Sequence, residues 1–188
     1  MDREKAKYVL LEIKDILDKH KVEFFLLEGT CLGAVREKNF IEHDRDIDLG
    51  VKDELLRPKI EELSEEWTRH GFKYAVGPAT NIVQSFKLYK EDIRCDIPGM
   101  ALNGNERFIP SHLRPYCLVQ KAALFENPQA IEFLGKVFLI PNPVEEYLTH
   151  EYGKDWKTPH DSFDNVSASR VYGYRKKYGM KPFKRKKV

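Results

Sequence analysis

The chain has 188 residues, of which 41% are hydrophobic, and its 32 Lys and Arg nearly balance its 30 Asp and Glu. This length suits one compact domain that buries enough surface to fold without disulfides or a structural metal. The composition excludes a disordered chain, and no apolar run is long enough to cross a bilayer.

Positive charge is concentrated in the last residues of the sequence. Residues 175–188 hold eight Lys and Arg and no acid, which leaves a net charge of −6 on residues 1–174. We therefore predict a single domain over residues 1–174 and a basic, flexible tail over residues 175–188. The tail would suit peripheral contact with an anionic membrane or polymer, whereas nucleic acid is the less favoured partner.

The cysteines and the first residues bear on the cellular compartment. Cys31, Cys95 and Cys117 are odd in number and form no CxxC pair, so we expect neither a disulfide framework nor a structural zinc site. The first residues are charged and lack the apolar stretch of a signal peptide. We expect a cytoplasmic protein with reduced thiols, whose contact with a membrane is at most peripheral.

Apolar periodicity predicts the first elements of the chain. Residues 3–19 carry apolar side chains at helical spacing, and residues 22–27 form a short apolar and aromatic run that is typical of a buried strand. Thr30 is placed to cap a short helix that ends at residue 35 or 36. Residues 46–51 alternate polar and apolar side chains, which predicts a second strand.

The same patterns predict the remaining elements. Asp53 is placed to cap a helix over residues 54–70 that Gly71 ends. Further strands are predicted over residues 72–76, 83–89, 93–97 and 136–140. Residues 98–115 are predicted to be a loop, residues 120–125 to begin a helix, and residues 144–152 to form a helix. This order predicts an α/β or α+β fold, with a mixed β-sheet flanked by helices and a C-terminal helical part.

Three features of the sequence carry the chemistry. Gly29-Thr30 follows a strand and opens a helix, Asp46 and Asp48 form a D-x-D pair on the next strand, and Asp96 lies on a later strand. Each feature alone is more often structural, because such pairs and turns are common and a lone Asp is as often a surface acid. Their joint presence at strand positions favours a metal and phosphate site.

The geometry of helices and strands explains this chemistry. The start of a helix offers free backbone N–H groups to a phosphate, and glycine lets the phosphate come close. On a strand, residues i and i+2 point to the same face, so Asp46 and Asp48 would project side by side. Paired carboxylates suit Mg²⁺ or Mn²⁺, and Asp96 would complete a site for in-line displacement at phosphorus.

Two separated blocks resemble the LicD and fukutin-related family of the nucleotidyltransferase-fold superfamily. The first block covers residues 29–36 and 40–48, and it is similar to the family patterns G-T/S-L-L-G-A-x-R and F-I-P-W-D-x-D-x-D. The second block covers residues 140–159 and is similar to the late P-x-P, Y-L and Y-G-x-W-x-x-P patterns. Two ordered blocks are more specific than either alone, and the resemblance implies a nucleotidyltransferase fold over most of the chain.

The resemblance also implies a reaction. Such proteins look like transferases that move a phospho-alcohol, for example phosphocholine or ribitol phosphate, from a CDP-linked donor to a hydroxyl of a glycan or lipid-linked glycan, releasing CMP. Asp46 and Asp48 would then hold Mg²⁺ (or Mn²⁺) against the diphosphate, and Asp96 would be a metal ligand or the general base. Gly29 and Thr30 would cradle a phosphate through their backbone N–H groups.

Four other residues are weaker candidates for substrate binding. Arg36 could neutralise charge on the leaving CMP. Asp44 could orient the site, although an ordinary loop acid is equally favoured. Lys121 could contact a phosphate and Trp156 could stack on cytosine, but a solvated Lys and a packed Trp are the plainer interpretations.

Two other functions fit the same residues. The first is direct nucleotidyl transfer from an NTP to a small molecule, nucleic acid or protein, which would release pyrophosphate. The second is a non-catalytic module that binds a nucleotide or polymer, and the intact aspartates argue against it. We therefore predict an enzyme.

Overall fold

The computed structural model describes residues 1–77, 83–110, 116–159 and 170–172. Its α-helices are α1 (Arg3–Lys19), α2 (Glu28–Arg36), α3 (Asp53–Leu56), α4 (Ile60–Arg69) and α5 (Val144–Tyr152). Its strands are β1 (Phe24–Leu26), β2 (Asp46–Lys52), β3 (Lys73–Val76), β4 (Ser85–Lys90), β5 (Ile93–Asn103), β6 (Glu106–Pro110), β7 (Tyr116–Lys121), β8 (Gln129–Phe133), β9 (Lys136–Ile140) and β10 (Arg170–Tyr172). Short 3₁₀ turns cover Arg57–Lys59 and Ala122–Phe125.

The strands form one mixed sheet. Its order is β10-β7-β6-β5-β2-β1-β9-β8, while β4 pairs with the first half of β5 and β3 pairs with β4. The pairs β2–β5 and β1–β9 are parallel, and the other pairs of described strands are antiparallel. The predicted architecture, a mixed sheet flanked by helices, is confirmed, and α5 provides the C-terminal helical part.

Helix α1 covers the core behind the central strands. It spans the predicted residues 3–19, and the Asp2 carboxylate caps it by accepting the N–H groups of Glu4 and Lys5. Its buried face consists of Ala6, Val9, Leu10, Ile13, Ile16 and Leu17. These side chains join a core that includes Phe25 of β1 and Ile47 of β2. The core therefore supports one face of β2 and leaves the other face for polar side chains.

Two predicted helix caps are wrong. Helix α2 begins at Glu28, so Thr30 lies inside the helix, and Leu27 holds the cap position without a side-chain hydrogen bond. Asp53 is the first residue of α3 and does not cap a continuous helix over residues 54–70. That helix is interrupted at the 3₁₀ turn, where Pro58 has no N–H to continue the hydrogen-bond ladder.

The predicted loop over residues 98–115 is wrong where the structure describes it. Strand β5 continues to Asn103, and β6 follows after a tight turn. Pro98 is tolerated within β5 because the pairing of β2 with β5 passes from Asp96 directly to Gly99, so the missing N–H costs no bond to β2. Residues 111–115 lie outside the described residues.

The region before β9 also differs from the prediction. Residues 120–125 contain the end of β7 and a 3₁₀ turn, and they do not begin an α-helix. Strand β8 was not predicted, and it forms a hairpin with β9. The hairpin turn has positive φ at both Leu134 (53°) and Gly135 (84°). Leu is uncommon at positive φ, so only the Gly signals this turn in the sequence.

The predicted domain boundaries stay predictions. Residues 160–169 and 173–188, which include the basic tail, lie outside the described residues. Among the helices that the structure describes, none combines the length and the apolar character needed to span a membrane.

Candidate active site

Strands β2 and β5 bring the three predicted aspartates together. The two strands are parallel and pair Asp48 with Asp96, and Asp46 lies two residues earlier on β2, so all three point to the same face. One carboxylate oxygen from each lies within 4.8 Å of the other two. The intervening Ile47 and Cys95 are fully buried on the opposite face. The core side of the sheet therefore fixes the backbone from which the carboxylates project.

The three carboxylates fit a divalent cation. They offer only oxygen ligands, which Mg²⁺ and Mn²⁺ prefer. Asp96 Oδ1 is buried and accepts no hydrogen bond. Burial raises the pKa of Asp48 well above its usual range, and the negative charges of Glu28, Asp44 and Asp96 raise it further. A cation at this place would offset both the desolvation and the repulsion.

Thr30 fixes the position of Asp48. Its side-chain oxygen accepts the backbone N–H of Asp48 at 2.9 Å, and Thr30 is fully buried. The backbone oxygen of Asp48 in turn accepts the N–H of Leu27 at 3.0 Å. The Thr30 side chain is thus engaged with β2, and only its backbone N–H remains a predicted phosphate donor.

Exchanging Thr30 tests this positioning. Thr30→Val keeps the shape and removes the acceptor of the Asp48 N–H, so we expect the free energy of unfolding to fall by about 1–2 kcal/mol. Thr30→Ser keeps the hydroxyl and should lose less. Urea denaturation followed by circular dichroism measures both changes. Equal stability of the Val variant and the wild type would show that the hydrogen bond to Asp48 contributes nothing.

Gly29 makes room for a fourth carboxylate. A Cβ at residue 29 would lie 2.3 Å from Asp44 Oδ2. That oxygen is buried without a hydrogen-bond partner, while Asp44 Oδ1 accepts the N–H of Arg45 at 3.0 Å. Burial raises the pKa of Asp44. The sequence predicts that residue 29 is glycine so that a phosphate can approach. In the structure, the group nearest to the Cβ position of Gly29 is the Asp44 carboxylate.

Glu28 is a fifth acid at the site, and no motif of the sequence predicts a role for it. Its backbone N–H donates to the hydroxyl of Tyr147 on α5 at 2.9 Å. Burial, followed by the charges of Glu151 and Asp96, raises the pKa of Glu28 to about 8. A small cavity beside it is also lined by Gln120, Tyr147 and Glu151. The only signal in the sequence is its place directly before Gly29 at the start of the helix.

Two cations on the same face were also missed. Arg94 pairs with Asp46 through Nη2, and its Nε lies 3.5 Å from Asp96 Oδ1. Lys87 of β4 stands opposite Asp96 in register, with its Nζ 3.7 Å from Asp96 Oδ2. Arg94 lies two residues before Asp96 on one strand, so the period of a strand could have predicted it. Lys87 could be placed only once the pairing of β4 with β5 was known.

The remaining predicted residues, Arg36, Lys121 and Trp156, contact other parts of the chain. Arg36 ends α2, about 9 Å along the helix from Thr30, and donates to Trp156 O at 2.9 Å and to Glu37 Oε1 at 2.8 Å. Lys121, at the end of β7, pairs with Glu146 at 2.7 Å. Trp156 is buried. The substrate roles of these three residues stay predictions.

Comparisons with known proteins match this region of the chain. Residues 21–97, which include α2, the three aspartates and Arg94, match a family model described as the LicD/FKTN/FKRP nucleotidyltransferase domain. This segment is therefore similar to the LicD and fukutin-related family. The resemblance predicted from the sequence is therefore confirmed, although the second block, over residues 140–159, lies outside the segment matched by the family model.

Three curated relatives of this chain carry the same name. Ribitol-5-phosphate transferase FKTN of Macaca fascicularis is 28% identical over 168 residues, which cover 86% of this chain and 35% of the relative. The proteins of that name from Homo sapiens and Mus musculus are each 27% identical over 168 residues, with the same coverage. The chain thus spans about a third of the length of these relatives.

Proposed function

We propose that this LicD-like chain is a metal-dependent transferase. It would move a phospho-alcohol from a CDP-activated donor to a hydroxyl of a glycan or lipid-linked glycan and release CMP. The observation that carries the proposal is the convergence of Asp46, Asp48 and Asp96 on one face of the sheet, next to the first turn of α2. The family match supports it, because this face lies within the matched segment.

The three aspartates would bind Mg²⁺ or Mn²⁺. When bound, such a cation would neutralise charge on the donor diphosphate and favour in-line displacement at phosphorus. The backbone N–H groups of Gly29 and Thr30, in the first turn of α2, would donate to a phosphate oxygen. Thr30 and the β2–β5 pairing would hold the carboxylates in place before the substrate arrives.

In the proposed reaction the acceptor oxygen bonds to the phosphorus that carries the alcohol, and the bond from that phosphorus to CMP breaks. The proton of the acceptor hydroxyl must pass to a base. Asp96 is one candidate. Glu28 is the other, because it is a carboxyl group beside the aspartates whose pKa is raised by burial and by the neighbouring acids.

Ribitol phosphate is the transferred group to test first. The three curated relatives are named ribitol-5-phosphate transferases, and this chain covers a third of their length. Phosphocholine is the second group to test, because the LicD-like resemblance of residues 29–48 also includes it as an example.

Direct nucleotidyl transfer is the alternative. The description of the matching family model names a nucleotidyltransferase domain. Three carboxylates and a helix start could serve either reaction, but the products differ. Phospho-alcohol transfer releases CMP, and nucleotidyl transfer releases pyrophosphate.

A thermal-shift panel tests the proposal without knowledge of the acceptor. The protein would be heated with CDP-ribitol, CDP-choline, CDP-glycerol, CTP, ATP, GTP or UTP, each with Mg²⁺ and with EDTA. A ligand at a hundred times its Kd stabilises the fold by about 2.7 kcal/mol. We expect a Mg²⁺-dependent rise in Tm with a CDP-alcohol. A rise with NTPs alone would favour nucleotidyl transfer, and no rise would favour a binding module that does not use these ligands.

A further inference from the structure

The face that carries the three aspartates extends across two more strands. Strand pairing forms two rows of side chains across the sheet. The first row is Lys87 (β4), Asp96 (β5) and Asp48 (β2). The second row is Lys73 (β3), Tyr89 (β4), Arg94 (β5) and Asp46 (β2). Since residues in register share a face, the acids of β2 and β5 and the cations of β5 and β4 lie side by side on that face.

Arg94 and Lys87 are held by the aspartates themselves. Arg94 contacts Asp46 and Asp96, and Lys87 contacts Asp96. The side chain of Arg94 is 43% exposed and that of Lys87 is 32% exposed, so both can turn towards solvent. The two cationic side chains therefore neutralise carboxylates to which a metal ion would also bind.

We propose that Arg94 and Lys87 bind the diphosphate of the nucleotide donor after a divalent cation has taken over the aspartates. This inference rests on the proposed function and adds two side chains of β4 and β5 to the phosphate-binding groups of the same site. With the aspartates neutralised by a divalent cation, Arg94 would be free to form two parallel hydrogen bonds to a phosphate. Lys87 adds a second positive charge on the same side.

The proposal predicts opposite effects on two affinities. Removing Arg94 removes a competitor of the metal but also a ligand of the diphosphate. We expect Arg94→Gln to bind Mn²⁺ several-fold more tightly than the wild type. The same variant should bind CDP, in saturating Mg²⁺, at least about tenfold more weakly, because a charge-assisted hydrogen bond contributes about 1.5–3 kcal/mol.

Isothermal titration with Mn²⁺ alone, and then with CDP in saturating Mg²⁺, measures both affinities. Arg94→Lys keeps the charge and loses the paired donors, so its CDP affinity should fall between those of the wild type and Arg94→Gln. Lys87→Gln should weaken CDP binding to a smaller degree. Lys136→Gln is the matched control, because Lys136 is exposed on β9, at the other end of the sheet. It should change neither affinity.

The outcomes separate this inference from the proposed function. If the wild type binds neither Mn²⁺ nor CDP, both are overturned. If the wild type binds both ligands and Asp48→Asn loses Mn²⁺, but Arg94→Gln binds CDP as the wild type does, only the inference on Arg94 is overturned. Weaker Mn²⁺ binding by Arg94→Gln would also overturn it, because Arg94 would then support the metal site and not compete for it.

Discussion

Asp48→Asn is expected to abolish turnover and metal-dependent stabilisation while leaving the metal-free protein at least as stable as the wild type. Turnover should fall at least about a hundredfold, because a bound divalent cation contributes several kcal/mol to charge stabilisation in the transition state. The metal-free fold should become more stable, because the substitution removes a carboxylate whose pKa is raised by burial and by the charges of Glu28, Asp44 and Asp96. The measurements are CMP release and Tm, the latter in EDTA and in Mg²⁺.

Asp15→Asn is the control for this experiment. Asp15 is exposed on α1, so its replacement removes one negative charge far from the site. It should keep the wild-type response to Mg²⁺. Full turnover by Asp48→Asn would contradict the proposed function. A large fall of its Tm in EDTA would show that the Asp48 carboxylate stabilises the fold, contrary to our expectation.

The second expected result is a loss of stability as pH rises in the absence of metal. The pKa of Glu28 is about 8 in the folded protein, whereas the ordinary pKa of a Glu side chain is 4.5. Below pH 4.5 the group is protonated in both states; between 4.5 and 8 only the folded state keeps the proton. The free energy of unfolding should therefore fall across this window, by up to about 5 kcal/mol, and level off above pH 8.

Glu28→Gln should flatten this dependence. The remaining slope would have the same sign, because Asp48 also has a raised pKa. Urea denaturation in EDTA between pH 5 and pH 8.5 measures the slope, with Glu132→Gln, exposed on β8, as the control. Mg²⁺ should stabilise the wild type most at the alkaline end. Parallel slopes for the wild type and Glu28→Gln would show that the Glu28 carboxyl is ionised across the whole range.

Local patterns were sufficient for part of the site. The alternation of residues 46–51 placed Asp46 and Asp48 on one face, and the structure has them there. The neighbourhood of Asp96 could not follow from local pattern, because it depends on the parallel pairing of β2 with β5, two strands that are distant in the sequence. The sequence predicts that Asp96 lies on a later strand, but it does not predict that this strand lies beside β2. The same strand period also predicts that Arg94, two residues before Asp96, lies on this face.

The errors arose where tertiary contacts replaced local signals. Thr30 has the chemistry of a helix cap, yet its oxygen accepts the N–H of Asp48, and the Tyr147 hydroxyl accepts the N–H of Glu28 at the helix start. Pro98 is a residue that usually interrupts a strand, but it lies where β2 and β5 are not paired. The raised pKa of Glu28 depends on burial and on the charges of Glu151 and Asp96, which are distant in the sequence and which no local pattern encodes.

The bond between Tyr147 and Glu28 sets a lower limit on the size of an autonomous unit. The segment that matches the family ends at residue 97, but the start of α2 relies on a hydroxyl fifty residues beyond it. Strand β1 also pairs with Leu139 of β9, and Arg36 donates to the backbone of Trp156. A fragment cut after residue 97 would expose an unpaired edge of β1 and lose partners of both ends of α2. Residues 136–156 are therefore as much a part of the folded unit as the segment that matches the family model.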